Sequence, residues 1–345
     1  EHNKWRHPFY VEESYVIPWM YPYMEPHGLI LKINPESLPK IPDDVVKNDL
    51  EFWRWYTRRM LNDDEFVYNA VARKTFSKLR SAIAGLYEFR RMWPEAERAY
   101  SESVQLCPTS PEACFRLATM YLNLGRFDDA IAQMTRFSKL DPNNPRPIEM
   151  KKQIEMRKQM LKRMGELEQE LSRGGGTLQS VMELLQLYRA VGNIRGFSQL
   201  SRTVMDNPQV PIEAQMQIVR WCAESKLPDE LDYAAKIVLA KAGSASVASQ
   251  ARPPYYREIS EKYASVGKLP EASDAMRNYL SLAPLDFKAW HELGVMYAYL
   301  NRHAEAIKAF SQAVKLAGGR ETEDFRGDAR LNPFRGVPAY QQFMK

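Results

Sequence analysis

The chain has 345 residues, 45% hydrophobic and 26% charged, with a formal charge of +5. It is long and apolar enough for a continuous core, lacks the roughly 18-residue apolar run that a membrane helix needs, and is too weakly basic to demand an acidic partner. Cys107, Cys114 and Cys222 show no CxxC spacing, and the histidines His2, His7, His27, His291 and His303 are scattered, so no metal, cofactor or catalytic residue is expected. The sequence opens at Glu1 without a Met, as a fragment or a processed product would.

Residues 1–50 are rich in Pro, Tyr, Trp and Met. Repeated Pro forbids a long helix there, while the apolar runs 8–11 and 29–33 fit paired strands, a β-hairpin in an irregular module. His27 lies in Glu25-Pro26-His27-Gly28, which reads as a turn. From Asp43 a helix is expected, with Asp44 as its cap and Leu50, Trp53, Tyr56 and Met60 on one face. A second helix runs from about Asp64 through Phe66, Val67, Ala70 and Val71.

A fixed period then sets in. Tyr87, Ala96 and Pro108 recur 34 positions later as Tyr121, Ala130 and Pro142, and the Tyr/Ala pair returns as Tyr263/Ala272 and Tyr297/Ala306. That period marks stacked helical hairpins. The Tyr of each first helix faces the second, whose small Ala allows close approach. Gly125 and Gly267 sit where the first helix must end in a left-handed turn, and Pro94 and Pro270 where the next begins. Pro108, Pro142 and Pro284 stop the second helix.

Between the two phased pairs, residues 147–172 read as one long helix that ends at Gly174-Gly175-Gly176. Residues 178–206 resemble a decayed hairpin with Phe197 in the place of the small Ala, and 212–242 a further hairpin broken at Leu227-Pro228-Asp229. Residues 243–252 are a flexible connector. Tyr121 and Tyr263 are four periods plus six residues apart, so the two arrays are out of phase. The expected divisions are 1–50 (aromatic module), 51–144 (helices and first repeat pair), 145–252 (long helix and degenerate hairpins), 253–320 (second pair) and 321–345, a segment that covers the exposed end of the array.

These residues resemble the tetratricopeptide repeat family. Residues 287–320 carry its pattern as Trp290, Leu293-Gly294, Tyr297, Ala306, Phe310 and Ala313, with Gly318 in the place of Pro. Residues 253–286 carry Tyr256, Ile259, Tyr263, Gly267, Ala272 and Pro284. Units 77–110 and 111–144 keep Tyr87, Ala96 and Pro108, then Leu117, Tyr121, Gly125, Ala130 and Pro142. The resemblance implies an all-α fold, a right-handed superhelix or α-solenoid, and a non-catalytic scaffold whose concave face takes a protein or peptide.

On that face the implied groove residues are Phe115, Thr119, Leu122, Asn123, Arg257, Glu261, Lys288, His291 and Tyr299. Phe115 and Tyr299 would anchor a partner, and Arg257 and Lys288 would select acidic groups. The Lys/Asn set that grips a terminal carboxylate in some members is missing, its positions holding Lys78, Ser81, Gly85, Glu112 and Phe115. A small-molecule substrate is not expected. The basic residues of 147–172 (Lys151, Lys152, Arg157, Lys158, Lys162, Arg163) are interleaved with Glu and lack stacking aromatics, so a solvated face is expected over nucleic-acid binding, and an RNA-associated repeat protein is the remaining alternative.

Finally, Arg6-His7-Pro8-Phe9-Tyr10-Val11 and the stretch Tyr23 to Ile33 are similar to the region after the last membrane helix in polytopic bacterial proteins related to the C-type glycosyltransferases, including protein O-mannosyltransferases. That resemblance implies a soluble tail at a bacterial membrane on its extracytoplasmic face, with a cytoplasmic position as the alternative. Its partner would include its own membrane domain, and catalysis would reside outside this chain. Tyr15, Trp19, Tyr21 and Tyr23 would form the docking or membrane-proximal set.

Overall fold

The computed structural model describes residues 7–12, 18–244, 247–318, 327–334, 336–338 and 340. The chain forms two compact units, Glu1–Lys162 and Arg163–Lys345.

In the first unit a small antiparallel sheet precedes the helices. Strands β1 (Phe9–Val11), β2 (Met24–His27) and β3 (Ile30–Ile33) lie in the order β1-β3-β2. The expected pairing of the two apolar runs is present, with Phe9 opposite Ile33 and Val11 opposite Leu31. His27, expected in a turn, instead ends a strand opposite Ile30, and the turn falls on Gly28 and Leu29, with Gly28 at φ +62. Pro26 hides this strand from a sequence reading. It is tolerated because β2 is an edge strand and needs no N–H on its open side.

Helix α1 (Asp43–Leu61) starts after Pro42, with no side-chain cap. Asp44 is therefore not the cap. It shares the first turn with Asp43, where carboxylates favour the helix dipole. Then follow α2 (Asp64–Tyr68), α3 (Ala70–Phe89), α4 (Trp93–Leu106), α5 (Pro111–Asn123) and α6 (Phe127–Leu140). The long helix α7 (Arg146–Ser172) contains the division between the units. Asn69 and Ser110 cap α3 and α5 through their side-chain oxygens. Helices α3 with α4 and α5 with α6 form hairpins, and α1 packs on α4.

A buried ionic cluster joins α1, α3 and α4. The fully buried Arg80 donates to Asp49 at 2.9 Å and Glu102 at 2.8 Å, Tyr87 donates to Asp49 at 2.8 Å, and the guanidinium carbon lies 5.0 Å from the Trp53 ring centre. Burial pushes the Asp49 carboxyl above its ordinary value, against the opposing pull of Arg80 and Tyr87. Trp53 also donates to the Gly28 carbonyl at 3.1 Å, and Arg90 donates to the carbonyls of Leu38, Tyr21 and Pro22. These bonds hold the aromatic module against α1 and the end of α3.

Among its described residues the second unit stacks four hairpins. They pair α8 (Leu178–Val191) with α9 (Ile194–Asp206), α10 (Ile212–Glu224) with α11 (Pro228–Gly243), α12 (Pro253–Ser265) with α13 (Leu269–Leu282), and α14 (Phe287–Tyr299) with α15 (His303–Ala317). The small residues Ala272 and Ala306 are fully buried, as Ala96 and Ala130 are in the first unit. At Gly294 a Cβ would fall 2.5 Å from the Phe310 ring, so only glycine allows α14 and α15 to meet so closely. In the hairpin without the small Ala, Phe197 is fully buried, and the tight approach moves to the preceding residue: a Cβ on Gly196 would lie 3.1 Å from the Tyr188 ring.

The left-handed turn residues of the hairpins are Arg91, Gly125, Gly192, Lys226, Gly267 and Asn301. The phase shift falls between Gly243 and Pro253, since Leu178 to Ile212 and Pro253 to Phe287 each span one period and Ile212 to Pro253 spans more. One period after Gly125 stands Gln159, with neither Gly or Asn to turn the chain nor a Pro just beyond it. There α7 runs on as a single helix in place of a hairpin.

Candidate partner-binding surfaces

The groove residues expected from the sequence fall on α5 in the first unit and on α12 and α14 in the second. On α5, Phe115 is half-buried. Its ring stands edge-on to Phe137 at 5.7 Å, and the Arg146 guanidinium lies 5.6 Å from its centre. Thr119 and Asn123 are exposed, and Leu122 packs on the core beneath. This face offers one aromatic edge, one cation and two small polar groups.

In the second unit, α12, α13 and α14 enclose a cleft of about 370 Å³. Arg257, Glu261 and Lys288 line it together with Glu292, and the buried Met276 and Met296 supply apolar lining. Their helices start one period apart, at Pro253 and Phe287, which brings Arg257 of α12 beside the opening turn of α14.

Arg257 is already engaged, because it donates to Asp286 at 3.0 Å and to Glu261 at 3.4 Å while its guanidinium lies 5.7 Å from the Tyr279 ring centre. Asp286 is in turn the cap of α14, accepting from the Ala289 N–H at 3.0 Å and from the Tyr279 hydroxyl at 2.7 Å. Burial pushes the Asp286 carboxyl up, but the bonds from Tyr279 and Ala289 and the charge of Arg257 outweigh it, and it titrates below its ordinary value. Arg257 is thus a fixed wall. Lys288, the other cation of the cleft, is exposed and without an ion pair among the described residues.

Of the other two α14 residues, His291 is covered by the chain itself, whereas Tyr299 touches the same segment and stays 45% exposed. His291 is buried, with Nε2 at 3.0 Å from Asp328. Asp328 also accepts from the Arg330 side chain at 2.7 Å, and Arg330 forks onto Glu292 with two bonds of 2.8 Å. Tyr299 donates to the Arg330 carbonyl at 3.1 Å and meets the Phe334 ring edge-on. Leu331 and Tyr340 are fully buried, and the Tyr340 hydroxyl lies 3.0 Å from His303 Nδ1. The bonds from Arg330, and then from His291, hold the Asp328 carboxyl far below the usual range. Residues 327–334 therefore form a strap across α14. The sequence points to a covering segment here but not to its bonds with His291 and Glu292, since Asp328 and Arg330 carry no periodic signal.

Of the aromatic docking set, Trp19 is exposed and Tyr23 partly so, Tyr21 is buried against Phe89, and Tyr15 lies outside the described residues. On α7, Lys158 pairs with Asp128, and Arg163 forks onto Glu183 with two bonds of 2.8 Å. Among the described residues no group of three or more potential metal ligands occurs, and no helix is long and apolar enough to cross a membrane.

Comparison with protein families finds tetratricopeptide repeat matches at residues 91–154 and 287–319. The helical-hairpin fold agrees with both. A search of curated proteins gives no match. Among solved structures the chain is similar to the Cut9–Hcn1 hetero-tetramer of the APC/C at 12% identity and TM-score 0.30, covering 82% of this chain and 48% of that one. A tetratricopeptide repeat protein from Parabacteroides merdae is similar at 11% identity and TM-score 0.26, over 82% of this chain and 91% of that one. YrrB, described as a TPR protein with an unusual peptide-binding site, is similar at 11% identity and TM-score 0.22, over 76% and 93%.

Proposed function

We propose that this chain is a non-catalytic scaffold and that the cleft between α12 and α14 takes an extended peptide segment of a protein partner. The observation that carries this reading is the convergence of Lys288, Glu261 and Glu292 over Met276 and Met296 beside a preset Arg257. Charged groups of both signs at the rim select register, and the flexible thioethers adapt to an apolar side chain. The test is an array of 12-residue peptides that pair an apolar residue with flanking charges, probed with the wild-type chain and with Lys288→Glu. Peptides with a single acidic residue flanking the apolar one are expected to lose about tenfold in affinity in the variant, roughly 1.4 kcal/mol. Identical array patterns for the two proteins would overturn the reading.

A second reading concerns the aromatic module, which exposes Phe9, Tyr10, Trp19 and Tyr23 although each is large and apolar. Grouped aromatics of this kind suit docking. On this reading the module rests on a membrane domain of the same polypeptide at the extracytoplasmic face of a bacterial membrane, and any glycosyltransferase chemistry belongs to that domain. An upstream reading frame with several membrane spans is the expected finding, and a native start codon immediately before Glu1 would overturn it.

A further inference from the structure

The first unit holds a second cleft, of about 470 Å³, between α1 and α4. It shares no lining residue with the faces described above, and none of its residues belongs to the periodic set. Arg54 and Arg58 line it from α1, and Arg98, Ser101, Glu102 and Gln105 from α4. Arg54 and Arg58 are exposed, stand one turn apart and form no ion pair among the described residues. Arg98 is anchored across the cleft, donating to the Leu50 carbonyl at 3.3 Å and to Glu102 at 3.2 Å.

The one carboxylate in the lining, Glu102, is already taken from below. The buried Arg80 places Nε at 2.8 Å and Nη2 at 2.7 Å from its Oε2, and the remaining Arg80 charge is met by Asp49. Arg80 and Arg98 thus balance Glu102 and Asp49, which leaves the charges of Arg54 and Arg58 uncompensated at the mouth.

We propose that this cleft binds an acidic segment of a partner protein, with carboxylates at alternate positions of an extended chain. The spacing argues for it: residues four apart on a helix rise about 6 Å, close to the roughly 6.7 Å between alternate side chains of a strand. The guanidinium forks of Arg54 and Arg58 can then each take one carboxylate, the geometry in which arginine recognition is strongest. Ser101 and Gln105, also one turn apart, supply the neutral donors and acceptors that a peptide backbone between those carboxylates requires. This site is independent of the α12–α14 cleft.

The experiment uses the full chain and a fluorescent 12-residue peptide with Glu at alternate positions, read by anisotropy beside the same peptide with Gln. Binding of the Glu peptide is expected to fall at least tenfold in Arg54→Gln/Arg58→Gln, to weaken with added salt, and to be retained in Lys288→Glu, with unchanged circular dichroism in both variants. Equal binding of the Gln peptide, or undiminished binding by the double variant, would overturn the proposal. So would displacement of the peptide by inorganic phosphate at equal concentration, or by a short RNA oligonucleotide, since either would assign the arginines to phosphate groups.

Discussion

Arg91 and Lys226 adopt φ of 57 and 53, in the left-handed region that β-carbon crowding makes costly by about 1–2 kcal/mol. They hold the turn that Gly125 and Gly267 hold elsewhere, at φ 71 and 80. Gly125 and Gly267 were legible as turns because glycine announces this conformation. Arg91 and Lys226 were not, since nothing local marks an arginine or lysine as left-handed, and only the hairpin around each enforces it. Arg91→Gly and Lys226→Gly should each raise stability by about 0.5–1 kcal/mol, after the greater freedom of glycine in the unfolded chain offsets part of the relief. Thermal unfolding checks this, and a lowered midpoint in both variants would contradict it. All three thiols, Cys107, Cys114 and Cys222, are free and buried. Burial pushes Cys222 up to about 12 and Cys114 up to about 11, which keeps both protonated and unreactive at neutral pH.

At the scale of elements, the cluster on Arg80 shows why charge is the hardest part of a helix to place from sequence. Asp49, Arg80 and Glu102 occur in amphipathic helices where charge ordinarily means solvent, yet Arg80 and Asp49 are almost wholly buried. Only the meeting of α1, α3 and α4 pairs them. Arg80→Met should destabilise the chain by about 3–5 kcal/mol, because it leaves the buried Asp49 without a counter-charge and Glu102 with Arg98 alone, whereas the triple change to apolar residues should cost far less. Chemical denaturation of the two variants distinguishes these outcomes, and equal losses would argue against a paired network.

The strap carries a pH dependence of definite sign. Asp328 is held below its ordinary value by Arg330 and His291, so its contribution is present above the unfolded carboxyl value of about 3.9 and is lost as pH falls toward the depressed folded value. Limited proteolysis after Arg330 should therefore accelerate as pH drops below about 4, with a protease active in acid. In Asp328→Asn it should be fast throughout, and a strap equally protected in both proteins would refute the assignment. The same segment illustrates what escaped the sequence reading. A covering function for the C-terminus was legible from Leu331 and Phe334, but the bond between His291 and Asp328 turns an expected groove residue into an internal one.

For the whole molecule, the 34-residue period made the helical hairpins legible, including the degenerate ones, because buried small residues and turn residues recur with the geometry that needs them. The division at Lys162/Arg163 was not legible, since it falls inside an unbroken helix. Each unit has its own buried cluster, built around Trp53, Tyr87 and Phe137 in one and Ile218, Tyr263 and Phe310 in the other. Residues 163–345 expressed alone should unfold in a single cooperative transition with circular dichroism typical of helix. A fragment with no thermal transition would mean that this cluster depends on the rest of the chain.

The fully buried Leu331 and Tyr340 have a further effect. By lying over α14 and α15 they close the place where another hairpin would otherwise stack, and an open place of that kind invites the first free copy that fits. Without residues 327–334 that apolar face would stand open to water, and association through it would grow with protein concentration.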